Sequence, residues 1–149
     1  METQILKVKK IHEDSITPTR GSLEAAGMDL YAYIPELEIT IQPGTNAMIG
    51  TGVSFELPKG TFGAIFARSG MATKRGLRPS NCCGVCDSDY TGEYIVALYN
   101  DSLEPQTVMH GERIAQLVIM SYVAPILTEV ADLSETARGT GGFGSTGTN

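Results

Sequence analysis

Apolar and polar residues alternate along several short stretches of this chain. Alternation with a period of two is typical of a strand with one face on a core and the other in solvent. Turn signals separate the stretches, at 43–44, 58–60, 91–92, 100–101 and 110–111. Short strands at this spacing, without a long helical period, predict an all-β barrel or sandwich. The predicted strands cover residues 5–11, 37–41, 47–57, 61–67, 94–99, 111–120 and 126–130.

The segment Arg68–Arg75 shows no alternation and directly follows the predicted strand 61–67. We predict one or two helical turns here. An arginine, a hydroxyl and a glycine at a helix start, as in Arg68, Ser69 and Gly70, suit a bound phosphate. Ser69 equally suits a helix cap, which is the simpler interpretation of this segment by itself.

The composition is that of one ordinary globular domain. The chain has 149 residues, of which 42% are hydrophobic and 19% charged. A net charge of −6 argues against general nucleic-acid binding, although a local basic pocket still suits a small anion. No apolar run approaches the length of a membrane span, and the first residues lack the features of a signal peptide. We therefore predict a cytoplasmic protein that binds neither nucleic acid nor membrane.

Three cysteines cluster at positions 82, 83 and 86. An odd count argues against a disulfide framework and for a reducing compartment. Cys83 and Cys86 match a C-x-x-C pattern, but a zinc site needs two more ligands, and both histidines lie far away in sequence. We predict free thiols that serve as small packing residues.

An acidic turn precedes the predicted strand 94–99. The ten residues Gly84–Glu93 contain three acids, one tyrosine and two glycines. Asp87 follows the apolar pair Val85-Cys86, which places it at the edge of the core. Backbone donors there would keep its carboxylate ionised, as a general base or a metal ligand requires. A solvated hairpin turn explains the same residues, and this segment alone does not separate the two interpretations.

Two further polar residues stand inside apolar stretches, Asp29 within 26–32 and Gln116 within 111–120. Asp29 is either a surface acid on an edge strand or an acid that enters a site from a packed support. Gln116 is either the outward residue of an alternating strand or, if other motifs converge on it, part of a site.

The tail carries five glycines across residues 139–147, which makes it too flexible to be ordered alone. A disordered terminus is one interpretation. The tail also carries groups suited to covering a nucleotide. Arg138 can hold a phosphate, Phe143 can stack on a base, and the residues after it can wrap phosphate oxygens.

Five segments, taken together and in order, resemble the five motifs of the trimeric dUTPases (deoxyuridine 5′-triphosphate nucleotidohydrolases). They span nearly the whole chain, which makes the resemblance highly specific. The segments are 26–32, 67–72, 84–93, 111–117 and 138–145.

The resemblance implies a jelly-roll-like β-barrel of the β-clip type, assembled as a homotrimer with sites between subunits. It implies a β-barrel domain over residues 1–133 and a flexible Gly-rich C-terminal arm over 134–149 that closes the site. The implied reaction is the Mg²⁺-assisted hydrolysis of dUTP to dUMP and pyrophosphate. Such an enzyme lowers dUTP and supplies dUMP for dTMP synthesis.

The resemblance also implies roles residue by residue. Asp87 matches the residue that activates the attacking water, and Tyr90 matches the ring against the deoxyribose. Asp29 matches an acid that holds a water on the metal, while the triphosphate itself holds most of the Mg²⁺. The uracil-reading positions are Asn81, Val85, Cys86 and Asp87. The phosphate contacts are Arg68, Ser69, Gly70 and Gln116, and the arm adds Arg138, Phe143, Gly144, Ser145 and Thr146.

Five positions depart from the family pattern. Cys82 and Cys83 stand where small or aliphatic residues are common, and Cys86 stands where an aliphatic residue usually precedes the catalytic Asp. Ile95 stands where many relatives carry a substrate-facing Lys, and Glu112 takes the place of a usual Asp. Two other functions fit parts of the pattern: a dCTP deaminase of the same fold, and a non-catalytic β-trimer with the tail as a tether. The segment 84–93 and Phe143 fit the hydrolase better than the deaminase, and the retained acids argue against a non-catalytic protein.

Overall fold

The computed structural model describes residues 5–142, and there the chain folds as twelve strands and one short helix. The all-β prediction is confirmed, and so is the helix, α1 (Ser69–Arg75). The strands are β1 (Lys7–Lys10), β2 (Thr19–Arg20), β3 (Met28–Tyr31), β4 (Glu38–Ile41), β5 (Asn46–Gly50), β6 (Val53–Glu56), β7 (Thr61–Phe66), β8 (Leu77–Pro79), β9 (Cys83–Cys86), β10 (Ile95–Asn100), β11 (Gln106–Met109) and β12 (Arg113–Ser121).

An antiparallel sheet of five strands, in the order β2-β3-β12-β7-β9, carries most of the predicted site. Its long strand β12 lies between β3 and β7, so that Gln116 stands opposite both Asp29 and Phe66. On the far side of β7, Gly63 pairs with Cys86 of β9. The register therefore brings three of the five motif segments onto one sheet.

Three smaller antiparallel sheets complete the fold: β5-β10-β8, β1-β6 and β4-β11. In β10 the residues Val96, Leu98 and Asn100 are buried, while the residues between them are more accessible. This alternation puts one face of the strand on the core. The core also includes Leu30, Ile114 and Leu117 from the five-stranded sheet.

The predicted strand 47–57 is wrong in one respect, because it is two strands, β5 and β6. Gly52 breaks it with a left-handed backbone, φ +65°. The Thr51 hydroxyl donates to the carbonyl oxygen of Tyr94 at 2.6 Å, which holds the break in place. A left-handed residue cannot continue a strand, and glycine adopts this conformation without a steric penalty.

The predicted strand 126–130 is also wrong, since no strand follows Ser121 within the described residues. Ile126 and Leu127 are almost fully exposed. These residues are apolar, as the predicted strand required. A strand also needs a partner, however, and none of the described strands pairs with them. The short strands β2, β8 and β11 were not predicted, because two to four residues carry little periodic signal. No helix within residues 5–142 is long and apolar enough to cross a membrane.

Candidate active site

A cavity of about 490 Å³ opens beside β3, β12 and the start of α1. The predicted phosphate contacts Arg68, Ser69 and Gln116 line it, together with Asp29. These residues lie up to 87 positions apart in the chain, and strand pairing brings them together. The fold therefore joins three of the motif segments in one cavity.

Asp29 is held between two arginines. Its Oδ1 accepts a hydrogen bond from Arg68 Nε at 2.6 Å, and its Oδ2 accepts one from Arg113 Nη1 at 3.2 Å. Only 15% of the Asp29 side chain is exposed. Two guanidinium groups around one carboxylate leave a net positive charge on the cavity wall, which suits an anionic ligand.

Sequence reasoning missed Arg113 as a site residue. It lines the same cavity, and 51% of its side chain is exposed. The residue stood within a recognised motif, but its pairing with Asp29 spans 84 positions. The spacing of residues in a single sequence does not predict a contact between positions so far apart.

Gln116 lies on the less buried face of β12, between the buried Ala115 and Leu117, as expected of an alternating strand, and it also lines the cavity. It is half-buried, and its Nε2 donates to the carbonyl oxygen of Ala67 at 2.9 Å. Its side chain passes over Gly27, where an added Cβ would lie 2.5 Å from Oε1. The amide is thus fixed at the cavity wall.

Ser69 is the first residue of α1 rather than its cap. The capping position belongs to Arg68, which has an extended backbone and makes no capping hydrogen bond through its side chain. The simpler interpretation of Ser69 is therefore wrong. Ser69 and Gly70 are both exposed, but only Ser69 lines the cavity.

A second cavity, of about 380 Å³, lies beside β9 and the turn that follows it. It contains every predicted residue for uracil and sugar. The side chains or backbones of Asn81, Val85, Cys86, Asp87 and Tyr90 line it. Tyr94 and Ile95 contribute apolar wall on the β10 side.

Asp87 is exposed and stands one residue beyond β9. Its backbone carbonyl accepts from the Tyr90 amide at 3.1 Å, which closes the turn. Within residues 5–142 its carboxylate makes no hydrogen bond, so the expected backbone donors are not there. The acid is open to solvent, where a water or a ligand can reach it.

Cys86 is half-buried at the wall of this cavity, beside Tyr94. Burial raises the pKa of the Cys86 thiol above its ordinary value, because the thiolate loses hydration. Cys82, Cys83 and Cys86 are free thiols, as predicted. A protonated thiol at this position serves as a small wall residue rather than a nucleophile.

The two cavities are separate within one chain. Cys86 pairs with Gly63, whereas Arg68 lies five residues further along the direction of β7. At about 3.3 Å per residue, this places Arg68 roughly 16 Å from the level of Cys86. No described residue lines both cavities.

Arg138, the one predicted arm contact within residues 5–142, is not brought to either cavity. Arg138 is exposed, and its Nε donates to the carbonyl oxygen of Gly141 at 2.8 Å. Arg138 lines neither cavity. The predicted arm contacts Phe143, Gly144, Ser145 and Thr146 lie outside the described residues.

The described residues contain no group of three acids, cysteines or histidines that could hold a metal ion by themselves. Asp29 is the one carboxylate among the described residues that line the cationic cavity. A single acid cannot chelate Mg²⁺, but it can support an ion that already carries phosphate oxygens. The residues present therefore fit a metal that arrives with its ligand.

The all-β fold, the cationic cavity and the acid at the second cavity are together typical of a nucleotide hydrolase. The family model for dUTPase matches residues 13–147. A deoxyuridine 5′-triphosphate nucleotidohydrolase of Nautilia profundicola is 44% identical over 142 residues, covering 95% of this chain and 98% of the relative. That of Saccharomyces cerevisiae is 43% identical over 145 residues, covering 97% and 95%. The chain belongs to the dUTPase family of enzymes.

Solved structures agree with this assignment. A dUTPase of Staphylococcus bacteriophage 80alpha, solved with dUpNHpp, superposes with a TM-score of 0.88 at 28% identity. The match covers 98% of this chain and 100% of the phage chain.

Proposed function

We propose that this chain hydrolyses dUTP to dUMP and pyrophosphate, and thereby lowers dUTP and supplies dUMP. The main support for this proposal is the cationic cavity around Arg68, Asp29 and Arg113. In addition, the solvent-accessible carboxylate of Asp87 lies at a second cavity that is suited to a nucleoside. Family membership supports the substrate, and the phage relative was solved with dUpNHpp. The cationic cavity would take the phosphates of a nucleoside triphosphate, and the second cavity would take its nucleoside.

Asp87 is proposed as the general base. Attack on the α-phosphorus needs a water held in line and a group that takes its proton. Asp87 is exposed, and its carboxylate is free of hydrogen bonds from residues 5–142, so it can accept one from a water. Arg68 and Gln116 would hold the phosphate oxygens and offset their charge.

Mg²⁺ is proposed to enter with the triphosphate. When bound, it would neutralise charge on the phosphate oxygens. Asp29 would hold the ion through a water. Its pairing with Arg68 and Arg113 keeps the carboxylate fixed beside the phosphates.

Base and sugar selection are proposed to rest on the second cavity. Backbone groups at Asn81 and from Val85 to Asp87 would pair with uracil, and each mispaired buried group would cost about 1–3 kcal/mol. The Tyr90 ring would lie against the deoxyribose and reject a 2′-hydroxyl by steric contact.

Complete sites are proposed to form between copies in a homotrimer of jelly-roll-like barrels. The separation of the two cavities supports this, because no described residue lines both of them. Residues 1–133 would form the barrel. Residues 134–149 would form the arm, with Arg138 and Phe143 to Thr146 closing over the nucleotide.

The direct test is pyrophosphate release from dUTP with and without Mg²⁺, beside dCTP, dTTP and UTP. We expect turnover with dUTP alone, lost on chelation of the metal. Ammonia release from dCTP would instead identify a deaminase. No turnover of any nucleotide would favour a non-catalytic trimer.

A further inference from the structure

Glu93 ties the turn that follows Asp87 to a distant part of the fold. Its Oε1 accepts a hydrogen bond from the Gly52 amide at 2.8 Å, across 41 positions of sequence. Gly52 lies at the break between β5 and β6, where its backbone is left-handed. Glu93 is half-buried and lines the second cavity with Asp87 and Tyr90.

The carboxylate occupies a space that neighbouring residues leave open. A Cβ added at Gly50 would lie 2.5 Å from Glu93 Oε1 and 3.2 Å from its Cδ. Real Cβ contacts are not this short, so a side chain at Gly50 would push the carboxylate away. The hydrogen bond between the Glu93 carboxylate and the Gly52 amide therefore depends on the absence of a side chain at Gly50.

The backbone of the same residue holds the Tyr90 ring. The Tyr90 hydroxyl donates to the Glu93 carbonyl oxygen at 2.8 Å. The ring lies so close to Gly92 that an added Cβ there would be 2.6 Å from the hydroxyl and 2.7 Å from Cζ. Glu93 thus contacts the body of the protein through its side chain and Tyr90 through its main chain.

The strand beyond this turn has independent support. The Tyr94 amide donates to the Val53 carbonyl at 2.9 Å, and the Thr51 hydroxyl and amide both donate to the Tyr94 carbonyl. Loss of the Glu93 side chain therefore leaves β10 in place. The Glu93 carbonyl shares a peptide unit with the Tyr94 amide and stays in place too, so the freedom created is confined to residues 90–92 of the turn.

We propose that Glu93 is a positioning residue that sets the place of the Tyr90 ring and so the choice between deoxyribose and ribose. This inference rests on the proposed function, in which Tyr90 lies against the sugar. A hydrogen bond to a charged acceptor is among the stronger ones, and the site it supports must be held to a fraction of an ångström. The proposal predicts a loss of sugar selectivity rather than a uniform loss of rate.

The test compares kcat/KM for dUTP and for UTP in the full chain. We expect Glu93→Ala to lower the preference for dUTP by about tenfold, because a mobile Tyr90 no longer excludes the 2′-hydroxyl. Glu93→Gln keeps an oxygen acceptor for the Gly52 amide and should retain the preference. Glu56→Ala removes an exposed acid that pairs with Lys7, and it is the matched control that leaves the preference unchanged.

Gly50→Ala provides a second route that keeps Glu93. We expect it to lower the preference in the same direction, and to add nothing in a Glu93→Ala background, because both changes remove one interaction. A wild-type preference in either Glu93→Ala or Gly50→Ala would overturn the positioning role while the hydrolase stands. If Glu93→Ala lowered kcat/KM for dUTP and for UTP by the same factor, the positioning role would also be overturned. A wild-type chain without dUTP turnover would overturn the proposed function itself.

Discussion

At the scale of the residue, two aspartates of this chain differ in what surrounds them. Asp29 is 15% exposed in its side chain and lies between two guanidinium groups. Asp87 is exposed and makes no side-chain hydrogen bond within residues 5–142. The Asp29 oxygens already accept hydrogen bonds from two arginines, whereas the Asp87 oxygens are open to a water. The proposed roles of metal support and general base follow from this difference.

Asp87→Asn should lower kcat for dUTP by about 100- to 10,000-fold, the usual contribution of a general base. The amide keeps the shape of the side chain, so affinity for dUpNHpp should stay within a few-fold. Pyrophosphate release and calorimetric binding measure the two quantities. Asp89→Asn, two residues away and also exposed, is the control that keeps most of its turnover. Wild-type turnover in Asp87→Asn would remove this residue from the role of base.

We expect chemical modification of the Cys86 thiol to block the second cavity and so inactivate the enzyme. Bound dUTP should protect this thiol from modification. Because burial raises its pKa, most of the thiol is protonated at neutral pH. Inactivation by a bulky haloacetamide should therefore speed up as the pH rises, and it should still rise at a pH where the rate for an ordinary thiol levels off.

Two variants assign this inactivation to a residue. Cys86→Ser should abolish the protected phase, whereas the double variant Cys82→Ser, Cys83→Ser should keep it. Inactivation that dUTP does not slow would place the reactive thiol outside the cavity.

At the scale of the element, the break between β5 and β6 shows how a short backbone feature serves the site. Gly52 is buried with φ +65°, and its amide donates to Glu93. An uninterrupted strand over 47–57 would present that amide to a neighbouring strand instead. At the break, the Gly52 amide therefore donates to the Glu93 side chain, in the turn after Asp87, instead of to a neighbouring strand.

Gly52→Ala and Gly60→Ala form a matched pair. Both glycines have a left-handed backbone, with φ +65° and +78°, which costs about 1–2 kcal/mol for an L-residue. An added Cβ at Gly52 also meets Ser15 Oγ, whereas nothing lies within 4 Å at Gly60. We expect a further loss of about 1–3 kcal/mol in the free energy of unfolding for Gly52→Ala. Equal losses in urea denaturation would show that Ser15 moves aside freely.

The segment after β12 is the second element with a testable role. Residues 122–140 are exposed throughout. Removal of residues 138–149 should therefore change the free energy of unfolding by less than about 0.5 kcal/mol. It should also remove most dUTP turnover, because the proposed arm contacts begin at Arg138. A truncated chain with full activity would show that this segment takes no part in closing the site.

At the scale of the whole molecule, the arrangement of the two cavities points beyond a single chain. The cationic cavity is lined by Phe66 and Arg68, whereas the other cavity is lined by Ile65 of β7 and by residues of β9 and the turn after it. Five strands lock these positions relative to one another, so that a local movement cannot join them. In the proposed homotrimer, a second copy would place its Asp87 beside the Arg68 of the first and so supply the missing half.

Mixed oligomers test this arrangement. Arg68→Gln and Asp87→Asn should each be nearly inactive alone. Refolded together in equal amounts, they should regain about a quarter of wild-type turnover, because one contact in four joins two intact halves. A chain carrying both changes, refolded alone, is the control without recovery. Mixed oligomers that form but stay inactive would indicate sites within single chains.

Much of this protein could be predicted from its sequence. Alternation found β4, β7, β10 and β12, because a period of two is a property of neighbouring residues. The ordered motifs indicated the family, which the comparisons confirm. The same local signal failed at 126–130, where apolar residues have no partner strand among those described, and at Gly52, where one dihedral angle ends a strand.

Residue types and their order thus determined the family and the chemical groups available to the site. The tertiary structure alone decided which of those groups meet. The Arg68–Asp29 and Arg113–Asp29 pairs span 39 and 84 positions, and the Glu93–Gly52 contact spans 41. Such pairings depend on strand order and register, which are settled by packing across the whole core rather than by any local pattern.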